Sequence, residues 1–139
     1  MFLSYSSTFW FSAKGPDAWT EIDVYEVWPG TPHRERMVST NLHVFQLPDG
    51  KPDHASLGLW TAPFDLADDY HVYGLEWNPQ YLLFFVDGVL IRRKTNTDWH
   101  RALTLNLDVE IMANLTGMPD ARVGTTTYSI DYVRGFRAH

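Results

Sequence analysis

The chain has 139 residues, a net charge of −6 and no cysteine, which fits one domain with a single core and excludes disulfides, thiolate metal sites and a cysteine nucleophile. No basic run is longer than Arg92-Arg93-Lys94, so there is no concentrated positive face for nucleic acid. Apolar stretches such as Tyr81-Leu82-Leu83-Phe84-Phe85-Val86 are too short to cross a bilayer, which argues against a membrane partner.

Met1 to Ser12 lack a basic n-region and a small-residue cleavage site, so no signal peptide is read there. Helical periodicity is hard to find. Short runs rich in Val, Ile, Phe, Tyr and Trp alternate with Gly, Pro, Asn and Asp clusters, an all-β pattern. In chain order the expected strands are Ser7–Ser12, Trp19–Val27, Met37–Gln46, His71–Trp77, Tyr81–Val86, Val89–Lys94, Thr104–Ile111 and Thr126–Phe136. Turns are expected at Lys14–Asp17, Pro29–Pro32, Pro48–Gly50, Asn78-Pro79, Asp87-Gly88 and Gly117–Asp120. Asp87-Gly88 supplies the two positive φ values of a type I′ hairpin turn. Eight strands of mostly local pairing suggest a sandwich or jelly roll. Six Trp, seven Tyr and eight Phe in an acidic chain keep sugar binding in view.

The segment Trp19-Thr20-Glu21-Ile22-Asp23-Val24-Tyr25-Glu26 carries the chemistry. Strand alternation puts Glu21 and Asp23 on one face and Ile22 and Val24 on the other. A regular strand would then bury Glu26, a costly place for a carboxylate. A β-bulge at Val24-Tyr25 resets the alternation and returns Glu26 to the acidic face. The two glutamates then come within reach of the roughly 5–5.5 Å that a retaining glycosidase needs, with Asp23 between them raising one partner's proton affinity. A solvated acidic strand face gives the same pattern without any chemistry.

Glu21-Ile22-Asp23-Val24-Tyr25-Glu26 resembles the bulged Glu-x-Asp-x-x-Glu signature of glycoside hydrolase family 16. The resemblance continues through Asn41-Leu42-His43, Tyr70–Trp77, Phe85–Gly88 and Tyr128–Arg134. It implies a concanavalin-like β-sandwich, or jelly roll, and a retaining endo-glycosidase with Glu21 as nucleophile, Glu26 as acid/base and Asp23 tuning the pair. No cofactor is implied for catalysis. Asp108-Val109-Glu110-Ile111-Met112 with Gly117-Met118-Pro119 resembles β-agarases and porphyranases, and Asn96–Arg101 resembles κ-carrageenases. The expected partner is therefore a polysaccharide, foremost a red-algal galactan (agarose, porphyran or carrageenan), with a β-1,3-glucan as the alternative. A non-catalytic carbohydrate-binding sandwich and an inactive fragment are the other readings.

For the sugar, Trp10 resembles the family tryptophan that floors the subsite beside the scissile bond. Trp19, His43, Trp99, Arg101 and Glu110 are further binding candidates; Arg92, Arg93 or Arg101 could pair with a sulfate ester, although solubility charges on a strand edge are the commoner origin of such arginines. Asp131 resembles the side-chain ligand of the family's structural calcium. The family is secreted or periplasmic. The resemblance covers about 8–136 here but matches the C-terminal half of the family domain, so residues 1–139 are expected to form a partial, N-terminally truncated catalytic domain. Strands left without partners are expected to favour self-association through their exposed edges.

Overall fold

A computed structural model describes residues 5–16, 18–27, 34–45, 54–111, 113, 118, 122, 124–125 and 127–137. The expected strands become β1 (Ser6–Lys14), β2 (Trp19–Val27), β3 (Met37–Phe45), β6 (Tyr73–Trp77), β7 (Tyr81–Val86), β8 (Val89–Thr95) and β9 (Thr104–Glu110). Two short strands, β4 (His54–Ala55) and β5 (Gly58–Thr61), were not legible because neither is long enough to show an alternation. The predicted turns at 29–32 and 48–50, most of the turn at 117–120, and Asp17, Gln46 and Thr126 lie outside the described residues.

The strands form two antiparallel sheets. The larger runs β4-β3-β2-β1-β9, with β5 also pairing β3, and the smaller runs β6-β7-β8. Their inner faces close a hydrophobic core in which Ile22, Val24, Leu42 and Val44 meet Leu82, Phe84 and Trp99. A second cluster joins Tyr25, Val38 and Val86, and Tyr25 stacks on Tyr73 at 4.0 Å. Each fully buried Ile, Leu, Val or Phe contributes about 1.5–3 kcal/mol, so this interface is what holds the sheets together.

Asp87 and Gly88 have φ values of 48° and 77°, the expected hairpin turn between β7 and β8. The Asp87 carboxylate accepts the Val72 N–H at 2.8 Å and pairs with His71 Nδ1 at 2.8 Å. That turn takes over the backbone of 71–72, which is why β6 starts at Tyr73 rather than His71.

One expected strand does not form. Residues 127–137 make no ladder, and Phe136 is 90% exposed. The run of Tyr, Ile and Val looks like a strand in sequence, but none of the described strands offers its N–H and C=O groups a partner.

Candidate active site

Pairing in the larger sheet lines up the chemistry in rows. Ser12, Glu21 and His43 lie opposite one another across β1, β2 and β3. Asn106, Trp10, Asp23 and Asn41 form the next row, and Asp108, Thr8, Glu26 and Ser39 the third. The third row stays in line because the register shifts between Asp23 and Glu26 in both neighbouring ladders. Val24 and Tyr25 both turn to the core, at 2% and 3% exposure, and Glu26 returns to the face of Glu21 and Asp23. This is the bulge that the cost of burying Glu26 against the core demanded.

His43 Nε2 lies 3.2 Å from Asp23 Oδ2 and 3.9 Å from Glu21 Oε1. Burial, then the charges of Asp23 and Glu110, push the Glu21 carboxyl up to about 7, against the pull of His43. Burial also raises Asp23, while the His43 hydrogen bond and charge, and the Arg92 charge, oppose the rise. Its bond to Asp23 raises His43 above the ordinary imidazole value, aided by the charges of Asp23, Glu21 and Glu26 and opposed by burial. A carboxyl that exchanges its proton near neutrality, beside two further acids and an imidazole, is equipped for general acid–base and nucleophilic work on a polar substrate.

Trp10 stands on the same face beside Asp23, and its Nε1 donates to both Asp108 carboxylate oxygens at 3.2 and 3.3 Å. Thr8 Oγ1 also donates to Asp108 Oδ1. Asp108 therefore fixes the indole next to the acids, a role that sequence reasoning missed. The alternation of Asn106, Asp108 and Glu110 along β9 was the signal that could have found it. Glu110 ends that row, opposite Ser6, and raises Glu21 by its charge. Trp19 packs on Phe45 at 4.9 Å, and Phe45 stacks on His43 at 5.1 Å, extending the face with aromatic surface.

Trp99 is a correction. It is 3% exposed, packs in the core, and its Nε1 donates 2.8 Å to the Glu21 carbonyl. Asn96 folds the loop inward by accepting the Trp99 N–H at 3.0 Å and donating to the Trp99 carbonyl at 2.9 Å. Trp99 thus braces the acid strand from behind and offers no ring to a sugar. Arg92 is a second correction: it points into the molecule rather than toward a sulfate. Arg101 lies against the β1–β2 turn, where its guanidinium fills the space that a side chain at Gly15 would need.

Among the described residues, Glu21, Asp23 and His43 are the His/Asp/Glu group whose ligand atoms come close enough to share an ion, within 4.8 Å of one another. That His43 stands beside the acids follows from its place on the strand expected to neighbour theirs, whereas no His/Asp/Glu spacing in the sequence reads as a metal site. Asp131 sits in the exposed 127–137 segment, and no metal-binding group among the described residues includes it.

Comparison with known proteins agrees with this fold. The model of glycosyl hydrolases family 16 matches residues 5–134. The kappa-carrageenase of Pseudoalteromonas carrageenovora is 29% identical over 139 residues, covering 87% of this chain and 34% of that protein. Porphyranase B from Zobellia galactanivorans superposes with a TM-score of 0.76 at 25% identity, over 89% of this chain and 52% of that one. The P. carrageenovora enzyme in complex with an oligotetrasaccharide of kappa-carrageenan superposes with a TM-score of 0.67 at 24% identity, over 84% and 51%. The chain thus spans about a third to a half of the length of these relatives. With a bulged acid strand on one face of an antiparallel sandwich, and a family match over nearly its whole length, the chain belongs to glycosyl hydrolase family 16.

Proposed function

We propose that this chain carries the catalytic acids of a retaining endo-glycosidase acting on a β-linked galactan of the carrageenan, porphyran or agarose kind. The observation that carries the reading is the alignment of Glu21, Asp23 and Glu26 on one sheet face by the Val24-Tyr25 bulge, beside the Trp10 ring. Glu21 attacks the anomeric carbon while Glu26 gives its proton to the departing glycosidic oxygen. Water then enters, Glu26 takes a proton from it, and the bond to Glu21 breaks. Asp23, tied to His43, holds a negative charge between the two glutamates and keeps their proton affinities apart. Galactan likeness comes from the carrageenase and porphyranase relatives. Such polymers do not cross membranes, which makes the site of action extracellular or periplasmic.

A reducing-end assay on κ-carrageenan, porphyran and agarose tests the reading. Glu21→Ala and Glu26→Ala each lower turnover by at least about a thousandfold, since each removes one half of the covalent sequence. Azide added to Glu21→Ala with an aryl glycoside of the repeat yields a glycosyl azide of inverted configuration. Because an ionised Glu21 is the nucleophile, wild-type turnover rises with pH through about 7. Unchanged turnover in either variant overturns the assignment.

A further inference from the structure

The β7–β8 hairpin holds a second bulge. Phe85 lies opposite Leu90, but Phe84 lies opposite Arg92, so Ile91 is an extra residue. Without it Arg92 would face Leu83 and turn away from the core; with it, Arg92 follows the fully buried Phe84 to the inner side of the sheet. Its guanidinium lies 5.3 Å from the Phe84 ring centroid. From there it crosses to the larger sheet. Nη1 donates to the Thr40 carbonyl and Oγ1, both at 2.8 Å, and Nη2 donates to the Ser56 carbonyl at 2.6 Å and Oγ at 3.0 Å.

Two further observations mark this as a built site. Gly58 pairs with Thr40, and a Cβ there would stand 2.7 and 2.8 Å from Arg92 Cδ and Nε and 2.8 Å from Thr40 Oγ1, one of the arginine's own acceptors. Any side chain at 58 therefore displaces the arginine. Thr40 also precedes Asn41, the residue opposite Asp23, so the clasp grips the strand that carries the middle acid's partner. A half-buried charged side chain turned to the inner side of the sheet, hydrogen-bonded to four acceptors and given its own glycine, is ordered at a cost in side-chain freedom and partial desolvation.

We propose that Arg92 is a positioning residue for the acid strand: it clamps β3 and the 56–58 segment beneath Asp23, and it supplies from the core side a positive charge that balances that carboxylate. The charged groups around Asp23 are Glu21 and Glu26 on its own strand, His43 on β3, Glu110 on β9 and Arg92 on β8. His43 serves Asp23 from the open face and Arg92 from behind. Consistent with this, Arg92 favours the charged form of Asp23, and Asp23 favours the charged form of Arg92.

The kinetic part of the inference rests on the glycosidase reading, so the test has an arm that needs no turnover. The carboxyl carbon of Asp23 is followed by NMR against pH in the wild-type chain, Arg92→Lys and Arg92→Met, with Asp23→Asn identifying the signal. The Met variant moves the Asp23 midpoint upward, and the Lys variant, which keeps the charge but not the fork, moves it less. Gly58→Ala, which pushes the arginine out, moves it in the same direction and serves if the Met variant does not fold. Where the chain turns over polymer, kcat falls about tenfold in the Met variant with KM little changed, and the pH–rate profile moves with the NMR midpoint. An Asp23 midpoint that stays put in Arg92→Met or Gly58→Ala, while the melting temperature drops, makes Arg92 a structural clasp and overturns the proposal. Absence of turnover in the wild type removes the glycosidase reading, and the NMR midpoints still decide the role of Arg92.

Discussion

A carboxyl that its surroundings hold neutral costs the fold free energy once rising pH forces it to ionise. Glu21 is such a group, since burial and two neighbouring acids lift it to about 7. In the unfolded chain it titrates near 4.5. The folded form therefore binds more protons than the unfolded one between about 4.5 and 7, and stability falls as pH rises through that window. Glu21→Gln keeps the shape and removes the charge. The variant is expected to be more stable than the wild type at pH 8, by about 1 kcal/mol after allowance for solvent screening of a partly exposed group. That corresponds to a rise of about 3–5 °C in melting temperature, and the gain vanishes below about pH 4.5. Melting curves across the pH range check it, and equal stability at pH 8 would show that the acid row carries no strain. The same substitution abolishes the nucleophile, so stability gained and function lost fall on one atom pair.

The elements owe their placement to backbone irregularities. In the β7–β8 turn, Asp87 adopts a positive φ and also ties down Val72 and His71 at 2.8 Å each. Asp87→Ala loses both bonds and puts a Cβ without compensating hydrogen bonds at that φ, a cost of about 1–3 kcal/mol. Asp87→Asn tolerates the φ and keeps an acceptor for the Val72 N–H, so urea unfolding should place its midpoint between Ala and wild type. This turn was legible because Asp-Gly between two apolar runs has one good backbone solution. The β2 bulge was legible because Glu26 had no low-energy place in a regular strand. The β8 bulge was not: Arg92 beside Arg93 and Lys94 reads equally well as a solvated edge, and no buried charge announces itself in one dimension. Trp99 was misread for a related reason. An indole in a polar loop looks like a sugar platform until Asn96 is seen folding that loop under Glu21. Asp108 needed β9 to be placed beside β1, a pairing between strands about a hundred residues apart in sequence.

At the scale of the whole molecule the two sheets are unequal, with six described strands facing three. The core clusters lie where β1, β2 and β3 meet β7 and β8, and neither includes a residue of β9. β9 pairs β1 along one side, while no described strand pairs its outer edge. Its core-facing side chains Leu105 and Val109 are 38% and 40% exposed, and Ile111 beyond it is 48% exposed. An open edge with apolar side chains beside it is a template for another strand. The chain is therefore expected to self-associate through β9, with light scattering reporting dimers or larger species whose mass grows with concentration. Val109→Lys places a charge on that inner surface where it costs the existing core little and a paired copy much. It should shift the distribution toward monomer without lowering the melting temperature by more than about 1 °C. A wild-type chain that stays monomeric over a wide concentration range would mean that β9 is covered, and the 127–137 segment, with Ile130, Tyr132 and Val133 about half exposed, is the part of the chain whose protection from hydrogen exchange would then show it.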